Sequence, residues 1–351
     1  MNKLAFALKN MGAVWRLAAF SNIPISYSFL KPQYPIAVCK ITENCNSKCV
    51  GCNFHRSASK DMTYDEWISV FRQLAENNIR HIRFSGGEPM MRKDVYELIR
   101  AVTDLEFSLS MQSNILLLNE LKIRTLVESG LRKISVSIDG INDNYSDYRG
   151  VDSFRVVRDA VLMLRDYFDE KQVAITPNIA CPNLSALYKV VEFAEEMRIP
   201  ITGFNLVNFT HYFFNDEAGY NRSTYEELDR EELKKFCRFL AENRSKYLRI
   251  SSVDRYAIIR YFENYHIPEL PCLHPAFSIC IGSDGSVYGC CSMAAVGNVL
   301  KQPLKEILDS KKMAKLIKAA LYKMCPGCSC GLYISSAMNI KYQLKSRFVK
   351  I

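Results

Sequence analysis

The chain has 351 residues, 48% hydrophobic and 24% charged, with a formal net charge of +9. That is the make-up of an ordinary globular protein with one large domain and a smaller appendage, and the charge permits an acidic partner or a membrane surface without demanding nucleic acid. Thirteen cysteines, an odd number gathered in clusters, exclude a secreted disulfide framework and point to a reducing cytoplasm, where such clusters more often hold metal.

Residues 1–34 open with "MNKLAFALKNMGAVWRLAAF", in which Leu4, Ala7, Leu8, Met11, Val14, Trp15 and Ala18 share one helix face. Lys9 and Arg16 interrupt the apolar run, so it is neither a secretory signal nor a membrane span. Two readings stand: a helix packed on the body of the protein, or a peripheral membrane contact through residues 1–20. From residue 35 to 210, β-type runs alternate with helical ones. The expected strands are "IAVCKIT" (36–42), "HIRFS" (81–85), "FSLSMQS" (107–113), "KISVSID" (133–139), "QVAITPNI" (172–179) and "ITGFNLVNF" (201–209). Thr63 and Glu66 form a capping-box pattern opening a helix through "DEWISVFRQLAENN". This alternation predicts an α/β fold: a parallel sheet curled into a partial (β/α)6 TIM-like barrel, with chemistry at the C-terminal strand ends. Residues 211–268 read as a connecting helical region, 269–335 as a small cysteine-rich module and 336–351 as a basic tail.

Chemistry-bearing residues sit at those strand ends. After the first strand, "ENCNSKCVGC" crowds Cys45, Cys49 and Cys52 together. Three thiols are awkward for a tetrahedral zinc, which takes four ligands, and for disulfides, which take pairs. They suit an iron–sulfur cluster with one iron left open. After the second strand, "FSGGEP" offers Gly86 and Gly87, where backbone can approach a ligand, and the carboxylate of Glu88. "QSN" follows the third strand, and in "SVSID" Ser137 and Asp139 share a face, a hydroxyl and a carboxylate suited to a diol such as ribose.

This ordered set resembles the radical SAM superfamily over about residues 36–210. The resemblance implies that Cys45, Cys49 and Cys52 hold a [4Fe–4S] cluster whose open iron binds S-adenosylmethionine (SAM). It implies that Gly86, Gly87 and Glu88 hold the methionyl ammonium and that Ser137 and Asp139 hold the ribose, with Asn114 and Arg149 as nearby SAM contacts. The cluster would then cleave SAM to a 5′-deoxyadenosyl radical that takes a hydrogen atom from an unactivated C–H bond. The family's aromatic residue before the third cysteine is replaced here by Gly51, with Phe54 or His55 as possible substitutes.

From residue 272 on, "CLHPAFSICIGSDGSVYGCC" and the later "CPGCSCG" resemble the auxiliary-cluster module of SPASM/Twitch radical SAM enzymes, with "SDG" as a hairpin turn. That implies a second, auxiliary [4Fe–4S] cluster on Cys272, Cys290, Cys325 and Cys328, with Cys291 and Cys330 as competitors, in the shorter Twitch form. A structural zinc is the alternative for the same residues. Lys311, Lys312, Lys315 and Lys318 form a solvated helix face or a docking face for a flavodoxin- or ferredoxin-type electron donor. Cys39, Cys237 and Cys280 read as core residues; Cys181, after the fifth strand, could return a hydrogen atom to a substrate radical.

The expected activity is therefore a radical SAM oxidoreductase acting on a small molecule, carbohydrate or lipid. Too few residues precede Cys45 for the leader-binding domain of peptide-modifying enzymes. An all-cysteine auxiliary cluster favours dehydrogenation, with that cluster taking the electron; epimerisation with Cys181 as hydrogen donor is the alternative. From another class comes a nucleic-acid-modifying protein with a zinc-bound C-terminus, which would bind RNA in a salt-sensitive way.

Overall fold

A computed structural model describes residues 32–50, 52, 54, 60–179, 181–206, 229–252, 254–255, 258–259, 272–290 and 293–325. The expectations for residues 1–20, Gly51, His55, Cys291, Cys328, Cys330 and the 336–351 tail fall outside these. No helix among the described residues is long and apolar enough to cross a membrane.

The barrel strands are β1 (Ile36–Thr42), β2 (His81–Gly86), β3 (Ser108–Ser113), β4 (Ile134–Val136) and β5 (Val173–Ile175). They pair in parallel in that order. Between them run α1 (Tyr64–Glu76), α2 (Val95–Asp104), α3 (Glu120–Glu128), α4 (Asp143–Arg149) and α5 (Phe154–Tyr167). The predicted capping box starts α1: Thr63 Oγ1 accepts from Glu66 N, and Glu66 accepts from Thr63 N at 2.7 Å. Helix α1 then buries Trp67, Val70, Phe71 and Leu74, and Phe71 stacks on Phe84 of β2 at 5.5–6.0 Å spacings that continue to Trp67. Removing a ring such as Phe84 from this layer would cost about 3–5 kcal/mol.

Period-two alternation sets the other face. Ile82 and Phe84 lie under the helices, so Arg83 and Ser85 point into the bore. Register continues this polar lining: Lys40 is opposite Ser85, Arg83 opposite Ser110, and Gln112 opposite Ser135.

Three expected strands are much shorter. Only Ile134–Val136 of "KISVSID" is strand, so Ser137 and Asp139 lie past its end rather than on one strand face. "QVAITPNI" breaks after Ile175, because Pro177 has no N–H to continue the ladder. The chain resumes as β6 (Asn178–Ile179), which pairs in parallel with β7 (Asn205–Leu206), all that is regular of "ITGFNLVNF" among the described residues. A 3₁₀ turn (Cys181–Ala186) and α6 (Leu187–Glu196) lie between them, and α7 (Arg230–Glu242) follows.

The C-terminal module is not set apart from the barrel. Its first strand, β8 (Ser278–Ile281), pairs in parallel with β1, Ile36 opposite Ser278 through Cys39 opposite Ile281. Strands β9 (Ser286–Tyr288) and β10 (Gly297–Asn298) add antiparallel, giving the order β10-β9-β8-β1-β2-β3-β4-β5. All four residues of β8 are buried, so "SICI" covers the edge that β1 would otherwise expose. The "SDG" turn forms as expected: Gly285 takes φ +83°, and Asp284 accepts from Ser286 N at 3.0 Å. Helices α8 (Leu304–Leu308) and α9 (Lys311–Leu321) complete the described module; α9 buries Met313, Leu316 and Ile317 and exposes Lys311, Lys312, Lys315 and Lys318.

Candidate active site

The cysteine loop leaves β1 at Thr42 and is held on three sides. Against β2, Gly87 N donates to Thr42 O at 2.9 Å and Glu88 N to Asn44 O at 2.7 Å. A Cβ at Gly86 or Gly87 would overlap the carbonyl of Thr42 or Asn44, so the glycines are needed for chain-to-chain approach. Against β3, Asn114 Nδ2 donates to Asn46 Oδ1 at 2.7 Å and Ser47 Oγ at 3.1 Å. Against the end of α4, Lys48 N donates to Arg149 O at 3.0 Å and Val50 N to Tyr148 O at 2.8 Å. Gly150 caps α4 at φ +66°, where a Cβ would press on Lys48 O.

The loop's root carries a second layer of polar contacts that the sequence patterns did not single out. Asp61 accepts from Thr42 Oγ1 at 2.5 Å and Glu43 N at 3.1 Å. Lys40 and Glu43 form a buried ion pair at 2.5 Å, and Lys40 Nζ lies 5.2 Å from the centre of the Phe54 ring. Arg92 donates to Ile41 O at 2.7 Å and Met62 O at 2.9 Å while paired with Asp94. Met62 N in turn donates to Ser283 O of the C-terminal hairpin at 2.7 Å, tying the loop to that module.

Three residues expected to face SAM have partners within the chain. Glu88 is buried and accepts from Asn114 N at 2.7 Å, Ser113 Oγ at 2.8 Å and Met90 N at 3.1 Å. Burial pushes its carboxyl above the ordinary range while these donors hold it back. Asp139 is fully buried, accepts from Asn178 N at 2.5 Å and pairs with Arg149 Nη2 at 2.5 Å. Burial is the largest influence on both: it raises Asp139, whereas Arg149 is held above its ordinary value by Asp139 and Cys49. Ser137 Oγ accepts from Gln112 Nε2 at 2.8 Å, and Gln112 also reaches Thr176 Oγ1 at 3.1 Å. Gln112 belongs to the "QSN" run noted in the sequence, whereas nothing in the spacing of Thr176 and Tyr148 distinguishes them from ordinary strand or helix positions.

The thiols fit an iron–sulfur cluster. Burial, with the neighbouring cysteines adding to it, pushes Cys45 up to about 12 and Cys52 up to about 11. Thiols so placed ionise together only with a strong cation, which iron supplies. Arg149 Nη1 reaches Cys49 Sγ at 3.4 Å, a cationic donor to that sulfur. A single tetrahedral zinc, with Zn–S of about 2.3 Å, needs its sulfurs roughly 3.8 Å apart. Among the described residues no three Cys, His, Asp or Glu side chains are gathered for one metal ion.

In the C-terminal module, Tyr288 of β9 is opposite Cys280 of β8, so Cys290 lies toward the end of the sheet where β1 begins. Cys272 precedes β8 at that same end, and Cys325 follows α9. Cys181 opens the 3₁₀ turn after β6. Cys39, Cys237 and Cys280 are buried, in keeping with core roles.

Comparison with known proteins bears on both halves. A model of the radical SAM superfamily matches residues 39–180, and a model of an iron–sulfur cluster-binding domain, SPASM, matches residues 272–329. The PqqA peptide cyclase of Bradyrhizobium diazoefficiens is 33% identical over 118 residues, covering 32% of this chain and 31% of that protein. The AdoMet-dependent heme synthase of Methanosarcina barkeri is 25% identical over 327 residues, 85% of this chain and 91% of that protein. Streptococcus suis SuiB bound to S-adenosylmethionine shares the fold, with a TM-score of 0.64 at 15% identity over 90% of this chain and 75% of that one. The chain spans 31% and 59% of the length of two PqqA peptide cyclases that it matches.

Proposed function

We propose, from the premise that this chain belongs to the radical SAM superfamily and carries a SPASM-type iron–sulfur domain, that it is an oxidoreductase which cleaves SAM reductively and uses the 5′-deoxyadenosyl radical to take a hydrogen atom from its substrate. Cys45, Cys49 and Cys52 hold the SAM-binding [4Fe–4S] cluster, and Cys272, Cys290, Cys325 and Cys328 an auxiliary one. Arg149 offsets negative charge at Cys49, and the Gly86–Gly87 backbone with Asn114 fixes the loop so that the cluster is presented at the barrel mouth. Ser137, with Gln112 and Thr176, offers hydroxyl and amide groups to the ribose.

Register is the observation that carries the oxidative reading. Strand β1 delivers the Cys45 loop at one end of the sheet, while the β8–β9 hairpin returns Cys290 to the other. The polar bore lies between. A substrate held there meets the hydrogen-abstracting group at one end and an electron acceptor toward the other, an arrangement that serves dehydrogenation. Held by four cysteines, Cys272, Cys290, Cys325 and Cys328, the auxiliary cluster would have no open iron for substrate and would supply electron transfer.

The first reading of the substrate is a small molecule, carbohydrate or lipid. A peptide is the second reading, favoured by relatives named as acting on or binding one: PqqA peptide cyclase, and SuiB bound to the precursor peptide SuiA. The test is formation of 5′-deoxyadenosine and methionine from SAM by the anaerobically reconstituted, dithionite-reduced protein. Both products are expected from wild type and neither from Cys49→Ala; equal amounts from the two would refute the proposal.

A further inference from the structure

The bore contains a cation that nothing among the described residues neutralises. Arg83 sits mid-strand in β2, on the face opposite Ile82 and Phe84, in one layer with Val38, Ser110 and Cys280. It is solvent-exposed, and it makes no hydrogen bond or ion pair with the described residues. The buried carboxylates Glu43, Asp139 and Glu88 have other partners among the described residues. Glu43 pairs with Lys40, Asp139 with Arg149, and Glu88 accepts three hydrogen bonds at the end of β3. His81, two residues earlier on the same face, has its Nε2 3.0 Å from Ser110 Oγ, and its pKa falls to about 4 through burial, Arg83 and Lys133. It is therefore a neutral hydrogen-bonding group at neutral pH. The strand walls beside it pull the Arg83 pKa below its ordinary value, while the side chain stays open to solvent and to a ligand.

We propose that Arg83 is the anchor for an oxyanion of the substrate, a carboxylate or a phosphate, gripped by the guanidinium fork inside the barrel. The idea deepens the proposed function and rests on it for the word substrate. An arginine presents parallel N–H donors matched to the two oxygens of such a group. Ser110 and Ser108, on the same face of the adjacent strand, supply hydroxyls beside it. Arg83 lies three residues before Gly86, so at about 3.3 Å per residue the anion would sit roughly 10 Å below the glycine turn. A substrate anchored there extends its body toward the Cys45 loop and keeps the reacting carbon clear of the charged end.

The test is a calorimetric titration of the reconstituted full chain with inorganic phosphate and, separately, with succinate, at matched ionic strength. Saturable binding by wild type is expected, weakened at least about tenfold in Arg83→Gln and less in Arg83→Lys, which keeps the charge but loses the fork. The exposed Arg132→Gln should bind as wild type does. Stronger binding of phosphate marks a phosphate ester as the substrate class; stronger binding of succinate marks a carboxylic acid. No saturable binding of either probe by wild type, or equal affinity in Arg83→Gln, would overturn the proposal. Iron and sulfide assayed on the same samples separate its failure from that of the functional reading, since anion binding at Arg83 needs no cluster.

Discussion

Arg149 reaches two partners from one buried guanidinium: Asp139 through Nη2 at 2.5 Å and the Cys49 sulfur through Nη1 at 3.4 Å. Removing one member of a buried ion pair leaves the other as an uncompensated charge, which costs about 3–5 kcal/mol. Arg149→Gln is therefore expected to lower unfolding free energy in urea by that order, with Arg149→Lys recovering part of it. His81 gives a pH signature. Its pKa is depressed to about 4 from an unfolded value of 6.5, so the unfolded chain binds the extra proton first as pH falls. Wild type should lose up to about 3 kcal/mol of stability between pH 6.5 and 4 from this group alone. Urea midpoints of His81→Gln, compared with wild type across that window, should fall less steeply; parallel curves would deny the depressed pKa. At this scale the sequence named Glu88, Asp139 and Arg149 as residues of the site but not the contacts that Glu88 makes within the chain. A motif displays a carboxylate; it does not display the Ser113 hydroxyl and Asn114 amide that reach it once β3 lies alongside β2.

Elements were legible where local chemistry decides them. The Thr63–Glu66 capping box, the "SDG" turn and the strands from β1 to β3 follow from side-chain spacing and turn residues alone. The fifth strand was overextended because Pro177 outweighs the β-branched run before it. The pairing of β8 with β1 could not be read at all, since it joins residues some 240 positions apart and only burial of both faces selects it. The glycine turn was recognised, but its glycines serve first to let β2 meet the root of the cysteine loop. Gly87→Ala should displace Asn44 and with it Cys45. The expected result is a loss of iron from the SAM-binding site at unchanged helix content by circular dichroism; full iron loading would show that the loop does not depend on this contact.

On the scale of the molecule, one sheet carries both cysteine sets, with the Met62–Ser283 hydrogen bond as a second tie between them. The barrel and the module thus share one sheet, and the bore between the two cysteine-bearing ends is where substrate would meet both. The most direct measurement is iron and sulfide content after anaerobic reconstitution, with EPR of the reduced protein, on wild type and a Cys45→Ala/Cys49→Ala/Cys52→Ala variant. Two cubane clusters predict about eight irons in wild type, falling to about four in the variant, with a SAM-induced EPR change in wild type alone. Iron content indifferent to the triple substitution, or zinc in place of the iron that remains, would contradict the account.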